Sequence, residues 1–296
     1  MKSTDIYGVI AAVPTPLNVN GEIDLDAFVE HCTFCLSNGC DFLNVLGTTG
    51  EANGFSADER VTLMQQAAGR LDPHKLMVGT GTPDIETTVR LTTLAHSLGY
   101  AAALVLPPFY YKPVEEDGLF AYFEQVVTRT AASPIAIYLY NFPQLTGIEF
   151  SLALAKRLIE AFPDRIKGAK DSSGNLAYAR QLAQIDNFAV FPSSEASLAD
   201  AARDNFAGCI SATVNIDPAA SQYLWNHQED AAALAHVTRL RRAITAHPLI
   251  SAVKYLVGLR SGNERWNRVL APNLAITDKH RQTQLKDVAP VSVAAA

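Results

Sequence analysis

The sequence is poor in the residues that mark several protein classes. Cysteine occurs four times, methionine three times and tryptophan twice in 296 residues. Cys32-Thr33-Phe34-Cys35, with His31 beside it, has the spacing of half a metal or redox site. A structural zinc needs a second ligand pair, and none follows at a suitable spacing, so no metal and buried free thiols on a helix are expected. Basic residues are outnumbered: 24 Lys and Arg against 30 Asp and Glu give a net charge of -6, which leaves no footprint for nucleic acid. No apolar run approaches the roughly eighteen residues of a membrane helix. The stretch from Met1 to Tyr7 lacks the apolar core of a secretory signal, so a soluble cytoplasmic protein is expected. Walker-type lysine loops, HExxH and GxSxG are missing. Gly79-Thr80-Gly81 fails as a dinucleotide fingerprint because Asp84 holds its last position. The seven histidines are scattered over helices and the tail, with none at a strand end, which argues against a histidine triad or metal centre.

What the chain does have is alternation. Short β-rich runs at 8–13, 41–46, 75–78, 101–106, 134–140, 165–170, 188–191 and 208–212 are separated by longer amphipathic patterns. Ser56-Ala57-Asp58-Glu59 has the spacing of a capping box opening one of the helices. Strands alternating with helices imply a parallel sheet, and eight such units favour closure into an α/β (β/α)8 TIM barrel over an open doubly wound sheet. Residues 1–217 are expected to form the barrel core. Residues 218–296 would add C-terminal helices that complete the barrel, with an irregular tail after about Leu270.

In a barrel, chemistry gathers at the C-terminal ends of the strands. That rule brings Thr48 and Thr49 (after the second strand), Tyr110 and Tyr111 (after the fourth), Tyr140, Lys170, and Ser193-Ser194-Glu195 (after the seventh) to one mouth. Lys170 stands out because a cation at the end of a buried strand is costly. Strand alternation puts Ile166, Gly168 and Lys170 on one face and Lys167 with Ala169 on the other. The amine is either a rim ion pair with Asp171 or a nucleophile. Burial lowers a lysine pKa from its reference near 10.4, and only the free amine attacks a carbonyl. Dehydration of the resulting carbinolamine needs a proton relay, for which Tyr140 and Thr48 have suitable hydroxyls. Tyr138, two residues deeper, reads as a core tyrosine. Gly47 and Gly50 let backbone amides around Thr48 and Thr49 approach a carboxylate, though the loop could equally be an ordinary turn.

Gly47-Thr48-Thr49-Gly50-Glu51, Tyr140-Asn141-Phe142-Pro143 with Thr146-Gly147, and Gly168-Ala169-Lys170-Asp171 resemble, in order and spacing, the dihydrodipicolinate synthase and N-acetylneuraminate lyase family. The likeness runs from about Gly8 to Pro218, with an echo from Pro248 to Leu259. It implies that Lys170 forms a Schiff base with pyruvate or a 2-oxo acid, with no separate cofactor. Tyr140 would move protons and Thr48 would relay them. Thr49 would bind the pyruvate carboxylate, and the Ile210 backbone would lie against the bound pyruvate. Tyr110, with Tyr111 as the adjacent alternative, looks like a relay tyrosine lent by a neighbouring subunit, which implies a homo-oligomer, commonly a tetramer in the family. One position departs from the synthases. They carry an arginine two residues after the proline, where it holds the carboxylate of the aldehyde partner; here that residue is Leu145, and leucine cannot replace a guanidinium clamp. Leu145 resembles the sugar-acid aldolase branches. Ser193 and Glu195 offer groups suited to polyol recognition, although the Asp-Glu pair of neuraminate lyases is missing. The expected reaction is cleavage or formation of a hydroxylated 2-oxo acid, of the 2-keto-3-deoxy sugar acid or N-acetylneuraminate type, from pyruvate and an aldehyde. The competing readings are the synthase itself, a dehydratase using the same iminium, and a catalytically idle oxo-acid binder, against which the intact set of Lys170, Tyr140 and Thr48 speaks.

Overall fold

The computed structural model describes residues 6–287. Eight short strands follow one another along the chain: β1 (Gly8–Ala12), β2 (Phe42–Val45), β3 (Leu76–Gly79), β4 (Ala102–Val105), β5 (Ala136–Asn141), β6 (Ile166–Asp171), β7 (Ala189–Pro192) and β8 (Gly208–Ser211). All pairings are parallel, and β8 returns to pair with β1, Val9 opposite Cys209. Between β7 and β8, the Ala207 amide donates to the Val190 carbonyl at 2.9 Å. This is a (β/α)8 TIM barrel.

The strands are apolar on both faces because both are covered. Val9, Leu43, Val45, Val78, Val105 and Leu139 face the helices, while Ile10, Phe42, Met77, Leu104, Tyr138 and Phe191 fill the interior. The covering helices are α1 (Leu25–Ser37), α2 (Ala57–Arg70), α3 (Ile85–Ser97), α4 (Glu116–Arg129), α5 (Pro143–Thr146), α6 (Leu152–Ala161), α7 (Leu176–Leu182), α8 (Ala201–Asp204) and α9 (Pro218–Asn226). The capping box is formed: Ser56 Oγ accepts from the Glu59 amide, and the Glu59 carboxylate accepts from the Ser56 amide. Cys32, Cys35, Cys40 and Cys209 are buried free thiols.

Two local expectations need correction. Register along β5–β6 shifts from Ile137 opposite Ile166 to Tyr138 opposite Gly168, so Lys167 is the extra residue of a bulge. Ile166 therefore packs outward beside Ile137, and only Gly168 and Lys170 point inward. Gly168 is small because a Cβ there would collide with the Ala189 carbonyl. The tail is not irregular throughout. After α10 (Ala231–Thr245) and α11 (Leu249–Ser261), a further helix, α12 (Lys279–Lys286), is capped by Asp278. Its one buried residue, Leu285, joins a cluster with Leu240, Ile244, Leu256 and Trp266. A helix with one apolar contact carries no periodicity to read. The expected tail at 291–296 lies outside the described residues. No helix among the described residues is long and apolar enough to cross a membrane.

Candidate active site

The pairing of Tyr140 with Lys170 across β5–β6 sets two inward side chains side by side at the top of the barrel. Lys170 Nζ donates to Tyr140 Oη at 3.1 Å and lies 4.4 Å from the centre of that ring. Thr48 Oγ1 is 3.1 Å from the same phenolic oxygen. Lys170 and Tyr140 are buried, at 3% and 2% exposure. The rim ion pair with Asp171 is not made. The Asp171 carboxylate accepts from Asn141 Nδ2 at 2.8 Å, and from the Ser173 amide and hydroxyl at 3.1 and 2.9 Å. Burial pushes the Asp171 pKa up, and those hydrogen bonds pull it back. Lys170 thus has a phenol as its partner where a structural lysine would have a carboxylate. Lys167 points elsewhere and donates to the Pro163 carbonyl at 2.8 Å.

The loop carrying Thr48 and Thr49 is strained and held on several sides. Leu46 and Glu51 adopt left-handed backbone at φ 52° and 55°. Such conformations cost about 1–3 kcal/mol each and persist where the surroundings over-determine them. Here Thr15 Oγ1 donates to the Gly50 carbonyl at 2.8 Å. Glu51 is buried, and its carboxylate accepts from Lys254 Nζ at 2.6 Å, the Leu270 amide at 2.8 Å and Asn273 Nδ2 at 3.1 Å. Lys254 is fully buried on α11. Burial pushes its pKa below the ordinary lysine value, and Glu51 pulls it back up.

Above Lys170 opens a cavity of about 370 Å³ whose wall includes Thr48, Thr49, Tyr140, Leu145, Lys170, Ser193, Ile210, Arg241 and Asn273. Three expected site residues are absent from that wall. Tyr110 and Tyr111 are 73% and 81% exposed, their rings packed edge-to-face on each other at 5.2 Å. Glu195 is 2% exposed, and its carboxylate is committed to neighbours. It accepts from Ser211 Oγ at 2.7 Å, from Thr213 Oγ1 at 2.6 Å and from Arg241 Nη1 at 3.2 Å. The expected contact of Glu195 with substrate hydroxyls is therefore replaced by a supporting one: Glu195 holds Arg241, and Arg241 reaches the cavity. Arg241, Lys254 and Asn273 were not legible as site residues. Arg241 sits in the run Arg239-Leu240-Arg241-Arg242, which reads as a solvated helix face, and only the echo from Pro248 to Leu259 touched Lys254.

An amine, a phenol and a hydroxyl in hydrogen-bonded sequence at the mouth of a (β/α)8 barrel define the class of lysine-dependent aldolases and lyases. Within that class, the chain belongs to the dihydrodipicolinate synthetase family, whose family model matches residues 5–290. Members of this family are lyases and aldolases that work through a lysine Schiff base without an external cofactor, and the chain is an enzyme of that kind. It is 34% identical over 215 residues to a 4-hydroxy-tetrahydrodipicolinate synthase of Hydrogenobaculum sp. (strain Y04AAS1), covering 72% of each chain. Its fold is similar to the crystal structure of dihydrodipicolinate synthase from Agrobacterium tumefaciens C58, with a TM-score of 0.89, 31% identity and coverage of 96% of this chain and 98% of the other. It is also similar to YagE, a prophage protein of the dihydrodipicolinic acid synthase family from E. coli K12 in complex with pyruvate, with a TM-score of 0.87, 26% identity and coverage of 96% and 97%.

Proposed function

We propose that the chain is a pyruvate-dependent class I aldolase or lyase in which Lys170 forms the Schiff base. The observation that carries this reading is the relay Lys170 Nζ–Tyr140 Oη–Thr48 Oγ1, with 3.1 Å between successive atoms, at the floor of the cavity. In the cleavage direction, Lys170 attacks the C2 carbonyl of a hydroxylated 2-oxo acid, and Tyr140 delivers the proton that lets the oxygen leave as water. The iminium then withdraws the electron pair of the C3–C4 bond as that bond breaks. The C4 hydroxyl loses its proton and becomes the aldehyde, C3 of the enamine takes up a proton, and water releases pyruvate. Thr49 and the amides beside it hold the carboxylate next to the oxo group, and Ile210 forms the wall behind it. YagE, with its bound pyruvate, supports the choice of oxo acid.

Leu145 at the rim, 62% exposed, supports a sugar-acid substrate, because it offers no charge where synthases place an arginine. Synthase activity with aspartate semialdehyde is the second reading, favoured by the identity to the Hydrogenobaculum enzyme. The test is incubation with pyruvate and borohydride followed by mass spectrometry. A reduced adduct on Lys170, lost in Lys170→Ala, is the expected result. No adduct, or one on Lys167, refutes the mechanism. Pyruvate release from 2-keto-3-deoxy sugar acids and N-acetylneuraminate, set against consumption of aspartate semialdehyde, then separates the two substrate readings.

A further inference from the structure

Leu145 leaves one side of the mouth without charge, yet a guanidinium reaches the cavity from another side. Arg241 on α10 lines it, 25% exposed. Its Nη1 donates to Glu195 Oε2 at 3.2 Å, Ser211 Oγ at 3.2 Å and Thr213 Oγ1 at 3.1 Å. Those three partners stand on the barrel itself: Ser211 ends β8, Thr213 follows it, and Glu195 opens the turn after β7. The anchoring fixes the guanidinium through one nitrogen. Among the described residues, Nε and Nη2 have no partner, so an edge of the fork is left over. An arginine recruited only to neutralise Glu195 would present two nitrogens to the carboxylate, the geometry such pairs adopt when free to do so. Glu195 has instead spent its oxygens on two hydroxyls and a single guanidinium nitrogen. The arrangement matches a binding side chain locked by supporting hydrogen bonds, with its charge balanced from behind.

We propose that Arg241 is a specificity-determining residue that binds a carboxylate on the aldehyde-derived half of the substrate. This rests on the Schiff-base reading above, in which the Thr48–Thr49 loop already takes the carboxylate beside the oxo group. The substrate class is then a hydroxylated 2-oxo acid with a second, terminal carboxylate, cleaved to pyruvate and an aldehyde acid. A planar, bidentate acceptor suits the leftover edge of a single guanidinium whose charge is partly offset by Glu195. Ser193 and Asn273, on the same wall, are placed for the hydroxyls between the two ends.

A matched pair of acceptors tests this with pyruvate as donor. Tartronate semialdehyde and glyceraldehyde have the same length, and a carboxylate in one replaces a hydroxymethyl group in the other. The wild-type protein is expected to favour tartronate semialdehyde at least tenfold in kcat/KM. Arg241→Gln should raise KM for the acidic aldehyde by roughly 10–100-fold, the loss expected for hydrogen bonds to a charged group, and reduce the preference accordingly. Arg241→Lys, which keeps the charge and loses the fork, should recover only part, and it stands in if the glutamine variant does not fold. A wild-type preference for glyceraldehyde overturns the inference. So does an equal loss for both aldehydes, or a loss of pyruvate trapping in step with turnover, which would put the donor's own carboxylate on Arg241. Turnover of neither aldehyde while pyruvate is still trapped on Lys170 overturns the inference and leaves the Schiff-base reading standing. Failure to trap pyruvate on the wild-type protein overturns that reading instead.

Discussion

At the scale of single residues, the site turns on what each polar group has as its partner. Lys170 touches a phenol and Asp171 touches amide and hydroxyl donors, so the two neighbours in sequence do not cancel each other. The Lys170 amine is satisfied by a phenol and is not committed to a carboxylate. Tyr140 is the hydrogen-bond partner of that amine, and under the proposed mechanism it would also carry the proton for the carbinolamine. Tyr140→Phe removes the oxygen and keeps the ring that packs over Nζ. It is expected to lower kcat by about 10²–10³-fold, within the range for a lost general acid or base. Borohydride trapping should still yield an adduct on Lys170, formed more slowly, because the nucleophile survives. Thr48→Val, one step further from the reacting atoms, should cost less. Single-turnover trapping rates and steady-state turnover measured side by side check the order. Equal, complete loss of adduct in all three variants Lys170→Ala, Tyr140→Phe and Thr48→Val would contradict the division of labour.

At the scale of elements, the loop carrying Thr48 and Thr49 is tied to the C-terminal segment as well as to the barrel. Glu51 on the loop and Lys254 on α11 form an ion pair at 2.6 Å with both side chains out of solvent, and the Leu270 amide and Asn273 tie the following segment to the same carboxylate. Breaking a buried pair on one side leaves an uncompensated charge and typically costs about 3–5 kcal/mol, whereas replacing both partners by neutral groups of similar shape costs far less. Glu51→Gln is thus expected to destabilise the protein by about 3 kcal/mol and to raise KM for pyruvate, because Thr48 and Thr49 lose their anchor. Glu51→Gln with Lys254→Met should recover more than half of that stability. Denaturant unfolding of the two single variants and the double variant checks the coupling. This tie also explains what was legible beforehand. Strands and their order follow from local apolar runs and glycine-bounded loops, so the barrel could be read directly and Lys170, Tyr140 and Thr48 could be placed at its mouth, while their expected roles came from the family resemblance. The bulge at Lys167 could not, because it depends on how Gly168 meets β5 and β7. Nor could Arg241, whose meaning comes from Glu195, 46 positions away. α12 was missed because a single leucine docks it.

At the scale of the whole molecule, one expected relay group lies outside the site that one chain builds. Tyr110 is 73% exposed and not part of the cavity wall, while Thr48 and Tyr140 are within it. The expected route for such a phenol to the relay is presentation by a second copy to the first chain's cavity, in a symmetric assembly in which each protomer lends its tyrosine to the other. Complementation tests this without reference to affinity. Lys170→Ala and Tyr110→Phe chains are each expected to form weakly active assemblies. In a mixed pair, the protomer that retains Lys170 receives the intact Tyr110 of its partner, so one of the two sites is whole and the other lacks both groups. Random association makes half of the pairs mixed, with half of their sites restored, so activity should rise to about a quarter of the wild-type value after co-refolding of equal amounts. If Tyr110 acts within its own chain, or not at all, every site in the mixture carries at least one defect or is indifferent to the exchange. Co-refolding then yields no more than the mean of the two parents. Sedimentation of the wild-type chain, expected to show at least a dimer, is the accompanying measurement. A monomer with full activity would rule out a Tyr110 lent by a neighbouring subunit.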